Sequence, residues 1–356
     1  LELIKHIGEL KMGSVKDLKI IKNPTFETPG EGLFTFSDRY SIFDWGGMPD
    51  HIDNKGESIA LLGAYFFEKL DELGVPNHYM GLMEDGNAKN LSELKNPSKV
   101  MKVQLLRVIN PKIEDGEYDY SIYSHNIKGN FLIPLEIIYR NTLPKGSSVF
   151  KRLNDCEIIP EDLGLKSPPV PNQKLKKPII DFSTKLEVTD RYLRPLEAQE
   201  IACVNDEELD ELKESTIMIN KMISREFSKI GLKNEDGKIE FGYGPKRQLM
   251  VVDVLGTLDE CRFTFNDLPV SKEITRIYYR DTAWQCATEE AKKKDRVNWK
   301  DNCSLNPEPL PTKLKYLISQ VYCSCTNEIT GNEWFKDVMS LKEILKDIKG
   351  ELPFDK

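Results

Sequence analysis

The chain has 356 residues, with 50 Lys and Arg against 58 Asp and Glu, a net charge of −8 and a hydrophobic share of 39%. At roughly 150 residues per domain this length holds about two domains, and an acidic chain without a basic tail is a poor match for tight nucleic-acid binding, which needs phosphate neutralisation. The longest unbroken apolar stretch, residues 59–67, falls far short of the roughly 20 residues a membrane span needs.

The opening residues carry Glu2, Lys5, His6 and Glu9, so no secretory leader is expected there and the chain reads as cytoplasmic. Residues 15–21 and 32–36 suit a pleated surface and are separated by Asn23-Pro24 and Pro29-Gly30, which predicts strands. Over 55–74 the period changes. Ile59, Leu62, Phe66, Leu70 and Leu73 recur at three and four residues, an amphipathic helix stopped by Gly74 and Pro76. Strand character returns over 100–109 and 131–140, with a polar loop at 111–130 between them. The Pro- and Lys-rich segment 158–180 has too little apolar surface for a core of its own and is expected to cross between elements. A long helix follows over 206–230. Strands at 238–243 and 248–255 flank Gly244-Pro245-Lys246-Arg247, predicting a hairpin. The tail from Glu289 is charged, then helical over 333–348. This order gives an α+β fold; the strand–helix alternation and Gly-rich first turn of a doubly wound sheet are missing.

Seven cysteines, at 156, 203, 261, 286, 303, 323 and 325, are odd in number and scattered, which argues against a disulfide framework or a zinc site. Read as a strand, Cys323-Ser324-Cys325 would point its two thiols to opposite faces. The histidines His6, His51, His78 and His125 never fall at metal-ligand spacing.

Two stretches concentrate polar chemistry. The apolar run Leu132-Ile133-Pro134-Leu135-Glu136-Ile137-Ile138-Tyr139 delivers Arg140-Asn141, followed by Gly146-Ser147-Ser148. Arg offers a planar fork to phosphate or carboxylate, and a Gly-Ser turn adds N–H groups and hydroxyls. A strand-end Arg in a solvent ion pair accounts for the same residues without a ligand. The second stretch is Asp236-Gly237-Lys238-Ile239-Glu240-Phe241-Gly242, then Val251-Val252-Asp253. On a strand Lys238 and Glu240 share one face, and in a hairpin Asp253 approaches Glu240 from the next strand. Two such carboxylates repel unless a cation sits between them, and Mg²⁺ takes one or two protein carboxylates plus nucleotide phosphates. An amphipathic hairpin with its charged face in water is the competing reading.

Together with Ser37-Asp38-Arg39-Tyr40-Ser41-Ile42-Phe43-Asp44, Lys55-Gly56, Ser183-Thr184-Lys185-Leu186-Glu187 and Thr257-Leu258-Asp259-Glu260-Cys261-Arg262-Phe263, these motifs resemble the phosphoribosylaminoimidazole-succinocarboxamide synthase (SAICAR synthetase) family, in the family's order from about Gly13 to Arg280. The resemblance implies an ATP-dependent ligase of purine biosynthesis. Carboxyaminoimidazole ribotide is phosphorylated on its carboxylate, and L-aspartate attacks the acyl phosphate. It implies a small antiparallel sheet domain at 1–108 covering the nucleotide, an α+β catalytic domain at 109–288 and a helical extension at 289–356, with the ATP cleft between the first two. Gly13, Ser14, Lys16, Gln104, Leu106 and Lys238 are then expected to bind ATP, and Glu240 and Asp253 to hold Mg²⁺. Arg140, Ser147, Lys185, Asp190 and Arg262 are expected to grip the substrates, with Lys238, Arg262 and Asp259 catalytic. The partners implied are small molecules and further copies of the chain, as a homo-oligomer, with no nucleic acid and no membrane.

The chain departs from the family pattern in places. The loop between Arg140-Asn141 and Gly146-Ser147 is one residue longer, Val254 stands where an acid is common, and Arg191 replaces a negative charge after Asp190. Charge reversal near a substrate changes which ligand is favoured. Two further readings therefore stand beside the first: a paralogous ligase with another carboxylate and amine, and a catalytically silent nucleotide-binding homologue.

Overall fold

Two antiparallel sheets carry the chain in a computed structural model that describes residues 10–114, 116–123 and 127–352. Glu2, Lys5, His6, Glu9 and His125 lie outside the described residues. The first sheet collects β1 (Leu10–Met12), β2 (Lys16–Lys22) and β3 (Gly30–Phe36). Helix α1 (Lys55–Glu72) comes next, then β4 (Tyr79–Glu84), β5 (Asn87–Lys89) and β6 (Val100–Leu105). Its spatial order is β1-β2-β3-β6-β4-β5, so α1 crosses from β3 to β4 while β6 slots between them. The helix packs on β3, β4 and β6 and on a later helix, so apolar residues beyond its expected stripe, Leu61 and Phe67 among them, are fully buried. Burying each such side chain stabilises by about 1.5–3 kcal/mol.

The 111–130 segment contains a small hairpin, β7 (Lys112–Glu114) with β8 (Glu117–Asp119). The second sheet follows. Its members are β9 (Phe131–Leu143), then after α2 (Ser148–Asn154) β10 (Gln173–Thr184) and β11 (Tyr192–Leu193). Helices α3 (Pro195–Ala202) and α4 (Asp206–Lys229) precede β12 (Lys233–Tyr243), β13 (Leu249–Val252), β14 (Cys261–Phe265) and β15 (Leu268–Pro269). The order is β11-β10-β9-β12-β14-β15, with β13 pairing β12. Because β9 and β10 are neighbours, segment 158–180 connects strands of one sheet, and from Gln173 it is already strand. Asn205 and Glu208 start α4 with reciprocal side-chain caps, a signature visible in the sequence.

Side-chain alternation sorts this sheet into two faces. Ile137 and Tyr139 of β9 and Ile239 and Phe241 of β12 join the buried core beneath α4, where Phe227 stacks on Phe263 at 3.9 Å. Glu136, Ile138 and Arg140, with Asp236 and Lys238, line the opposite side. A register shift between Asn234 and Asp236 breaks the alternation. Asn234 consequently turns to α4, donating to Ser224 Oγ at 3.0 Å.

The C-terminal part holds α5 (Glu273–Tyr279), α6 (Ala283–Lys294), α7 (Thr312–Thr330) and α8 (Leu341–Glu351). Only α8 overlaps the helix expected at 333–348. Cys323 and Cys325, expected on a strand, lie on α7, and both are buried. That helix packs against both α1 and α8, burying Leu314, Leu317, Ile318, Val321, Cys325 and Ile329 at helical spacing. Among the described residues no helix is long and apolar enough to cross a membrane.

Candidate active site

Three connected cavities run between the two sheets, of about 350, 390 and 630 Å³. Gly13, Lys16 and Asp253 line both the first and the middle; Lys238, Asp259 and Glu260 line both the middle and the third. Character changes along this cleft. The first end is walled by Leu18, Phe34, Leu105, Leu106, Leu132 and Val252, whereas the third carries charge of both signs, Arg140, Arg262, Lys272, Arg276 and Arg280 facing acids that include Glu136, Asp190, Asp236 and Glu260. An apolar slot opening into a chamber of paired charges, with arginines and lysines among the donors, suits a ligand with a flat ring at one end and polar or anionic groups at the other.

The β1–β2 turn closes the first end. Gly13 N–H donates to Lys16 O at 3.0 Å, and a Cβ on Gly13 would stand 2.5 Å from that oxygen, so the turn needs glycine. The Ser37-Asp38-Arg39 motif holds this turn from below. Ser37 Oγ donates to Val15 O at 2.7 Å, and Arg39 reaches Gly13 O at 3.1 Å and Asp17 at 2.5 Å. Asp38 accepts from Gly56 N–H at 2.9 Å, satisfying a free donor in the first turn of α1. Gln104, near the end of β6, and Leu106, just beyond it, line the slot.

Glu240 and Asp253 both face the first cavity. Glu240 pairs with Val252 across the β12–β13 ribbon, which sets Asp253 one residue beyond, in the left-handed region at φ 65°. Nε2 of the buried His78 donates to Asp253 O at 2.8 Å and pins that turn. Burial, with the Lys16 charge adding to it, pushes His78 down to about 3, so the ring is neutral. Each carboxylate meets a lysine: Glu240 binds Lys185 Nζ at 2.6 Å, and Asp253 is ion-paired with Lys16. Burial lowers Lys16 to about 8. No cluster of three or more His, Cys, Asp or Glu able to hold a metal exists among the described residues.

Glu136 organises the centre. It binds Lys238 Nζ at 2.8 Å and Lys185 Nζ at 3.1 Å. Burial works to raise its carboxyl, but the two ammonium groups outweigh it and hold the group below the usual carboxylate range. Lys238 also lies 3.6 Å from Glu260. The sequence showed Glu136 inside the Pro-Leu-Glu motif, yet nothing local revealed that it would bridge two lysines.

In the third cavity Arg140, almost fully buried, binds Asp181 at 3.1 Å, Ser148 Oγ at 3.2 Å and Tyr192 OH at 3.4 Å. Arg262 Nε donates to Asp236 Oδ1 at 2.7 Å. Ser147, expected at the ligand, is buried and caps α2 by accepting from Val149 N–H; its neighbours Gly146 and Ser148 line the cavity instead. Asp190 lines the wall from an exposed loop. Asp259 also lines it, with its oxygens engaged by Lys55 at 2.6 Å and Tyr322 at 2.6 Å. Sequence reasoning missed Ser148, Tyr192, Glu260, Lys272 and Arg276. Glu260 sat inside a motif, but Lys272 and Arg276 carried no signal beyond a charged helix.

Two of the departures, Arg191 and Val254, fall outside the cleft lining, while the longer loop ends at Gly146, which lines the third cavity. Arg191 pairs with Glu187 and Glu197, away from the cavity, and Val254 is buried against Gly63 of α1.

A model of the SAICAR synthetase family matches residues 12–294. A protein of Archaeoglobus fulgidus named "Putative phosphoribosylaminoimidazole-succinocarboxamide synthase" is 48% identical over 338 residues, which is 95% of this chain and 99% of that one. The phosphoribosylaminoimidazole-succinocarboxamide synthase of Thermoplasma acidophilum is 31% identical over 313 residues, covering 85% of this chain and 94% of its own. Among solved structures, the SAICAR synthase of Saccharomyces cerevisiae complexed with SAICAR superposes with a TM-score of 0.61 at 20% identity, covering 93% of this chain and 97% of that one. A SAICAR synthetase in complex with ADP gives 0.54 at 19% identity, covering 85% and 100%. At those identities the structures establish the shared fold.

Proposed function

The chain belongs to the SAICAR synthetase family, and we propose that its cleft joins carboxyaminoimidazole ribotide to L-aspartate at the expense of ATP, with the residues assigned as follows. The reading rests on one observation: a single cleft passes from an apolar slot to a charged chamber where Arg140, Arg262, Lys272, Arg276 and Arg280 stand among acidic partners, with Lys238 and Glu260 at the junction. The protein is an ATP-dependent carbon–nitrogen ligase. A free carboxylate is a poor electrophile, so the γ-phosphoryl of ATP is transferred to the ribotide carboxylate. The aspartate amine then attacks the acyl carbon and phosphate leaves, giving SAICAR, ADP and phosphate.

Leu106 and Gln104 border the adenine, and the Gly13–Lys16 turn covers the phosphates. Lys238 stands where the phosphoryl moves and stabilises its developing charge. Arg140, Ser148 and Arg262 face the ribotide phosphate, in a chamber whose Asp181 and Asp236 partners hold the guanidinium planes. Lys272, which makes no ion pair among the described residues, and Arg276 border both the middle and third cavities. Two cations there suit the two carboxylates of aspartate. Glu240 and Asp253 alone are too few for an all-protein cage, but they match an ion that arrives on the nucleotide. Mg²⁺, when bound, would spread the charge of the transferring phosphoryl. Lys16 and Lys185 hold the two carboxylates, ready to exchange them for phosphate oxygens.

Family resemblance further supports a homo-oligomer acting in the cytoplasm on small molecules. With Arg191 and Val254 outside the cleft lining, nothing in the site favours another substrate pair. A coupled assay of ADP release tests the proposal. ADP is expected with ATP, carboxyaminoimidazole ribotide and L-aspartate together, and SAICAR in equal amount. No ADP with the complete mixture, while ATP still binds, would refute the ligase reading in favour of a silent homologue.

A further inference from the structure

The helix α7 begins at Thr312, beyond residue 294 where the family match ends. It nevertheless reaches the floor of the cleft. Tyr322, 2% exposed, donates its hydroxyl to Asp259 Oδ1 at 2.6 Å, while Lys55 at the start of α1 takes Oδ2 at 2.6 Å. Lys55 is 1% exposed and lies over the Tyr322 ring at 5.7 Å. Two more bonds tie α7 to the start of α1 and the residues just before it: Ser319 Oγ donates to Asp53 O at 2.6 Å and Thr326 Oγ1 to Ser58 O at 3.4 Å.

Asp259 is not an isolated anchor. It belongs to the turn that leads into β14, where Glu260 N–H donates to Thr257 Oγ1 at 3.3 Å and Lys238 N–H to Glu260 O at 3.3 Å. Whatever fixes the Asp259 carboxylate therefore fixes Glu260 and the strand bearing Lys238, the two groups at the junction of the nucleotide and ribotide cavities. A buried carboxylate with one ammonium partner could still rotate. Bonds from two elements to its two oxygens hold one orientation.

We infer that Tyr322, supplied by the C-terminal extension, is a positioning residue of the ligase site: with Lys55 it locks Asp259 and so sets the junction between the two substrates. The inference rests on the proposed reading of the cleft, and its test separates the two. Tyr322→Phe keeps the ring and deletes only the hydroxyl. It is expected to lower kcat about tenfold and raise the ribotide KM, with the ATP KM within twofold and thermal stability nearly unchanged. Tyr316→Phe, on the exposed side of the same helix, is the control and leaves every parameter unchanged. Wild-type kinetics in Tyr322→Phe would overturn the inference. So would a loss of activity matched by a loss of folded protein, with the folded fraction turning over at the wild-type rate. Full activity in Asp259→Asn would overturn it from the other side. If the wild-type chain forms no SAICAR, the ligase reading fails by itself; Tyr322 is then judged by ribotide affinity in calorimetry, where equal binding by wild type and Tyr322→Phe refutes its role.

Discussion

Glu136 and Glu240 stand opposite one another on adjacent strands, and the ammonium of Lys185 lies between them, 3.1 Å from one and 2.6 Å from the other. Two carboxylates in register on one sheet face repel, and this lysine, from beyond the end of β10, cancels the repulsion. Lys185→Met is expected to cost about 1–3 kcal/mol of stability, a range discounted because the lysine is partly exposed. Denaturant titration measures it, and no change would show that water or Lys238 suffices.

Glu240→Gln and Asp253→Asn are each expected to lower kcat at least about a hundredfold while leaving the protein folded, since each removes a carboxylate facing the nucleotide end. Titrating Mg²⁺ against ATP turnover distinguishes metal from lysine anchorage. If both variants keep normal activity and normal Mg²⁺ dependence, neither residue serves the metal.

The two adjacent serines separate stability from binding. Ser148→Ala should raise the ribotide KM about tenfold with ATP unaffected, because it removes a hydroxyl beside Arg140. Ser147→Ala should leave both KM values alone and cost about 1 kcal/mol as a lost helix cap. Arg140→Ala should raise the ribotide KM far more than that for ATP; the buried Asp181 and Asp236 keep Arg152 and Arg262 as partners. Steady-state kinetics beside thermal melts checks the set. The reverse pattern in the serines would return Ser147 to the ligand.

Burial works to raise the Asp259 carboxyl, but the Lys55 charge and the bonds from Lys55 and Tyr322 hold it below its ordinary 3.8. A carboxylate depressed on folding contributes stability that is full above its unfolded value and is lost as pH falls through the lower folded value. Asp259→Asn abolishes that acid-side contribution and leaves Lys55 buried without a counter-charge, costing about 3–5 kcal/mol near neutrality. Unfolding followed from pH 7 to pH 2 tests the sign; a variant as stable as wild type at neutral pH would refute the pairing.

Much of the site was legible because strand geometry is local. Lys238 and Glu240 had to share a face whatever the strand paired with, and the apolar periods of α1 and α4 depend on neighbours a few positions away. Family motifs carried the rest of that reading, from Arg140 to Arg262.

Other features needed the assembled chain. Lys185 meets Glu240 across 55 positions of sequence, and only sheet register decides which lysine reaches which acid. Ser147 becomes the cap and Ser148 faces the cavity, a choice set by where α2 begins. The sequence by itself determined an α+β ligase with its charged strand faces. Only tertiary packing decided that Arg191 turns from the cleft to Glu187 and Glu197, and that α7 brings Tyr322, 63 positions from Asp259 in the chain, to its carboxylate.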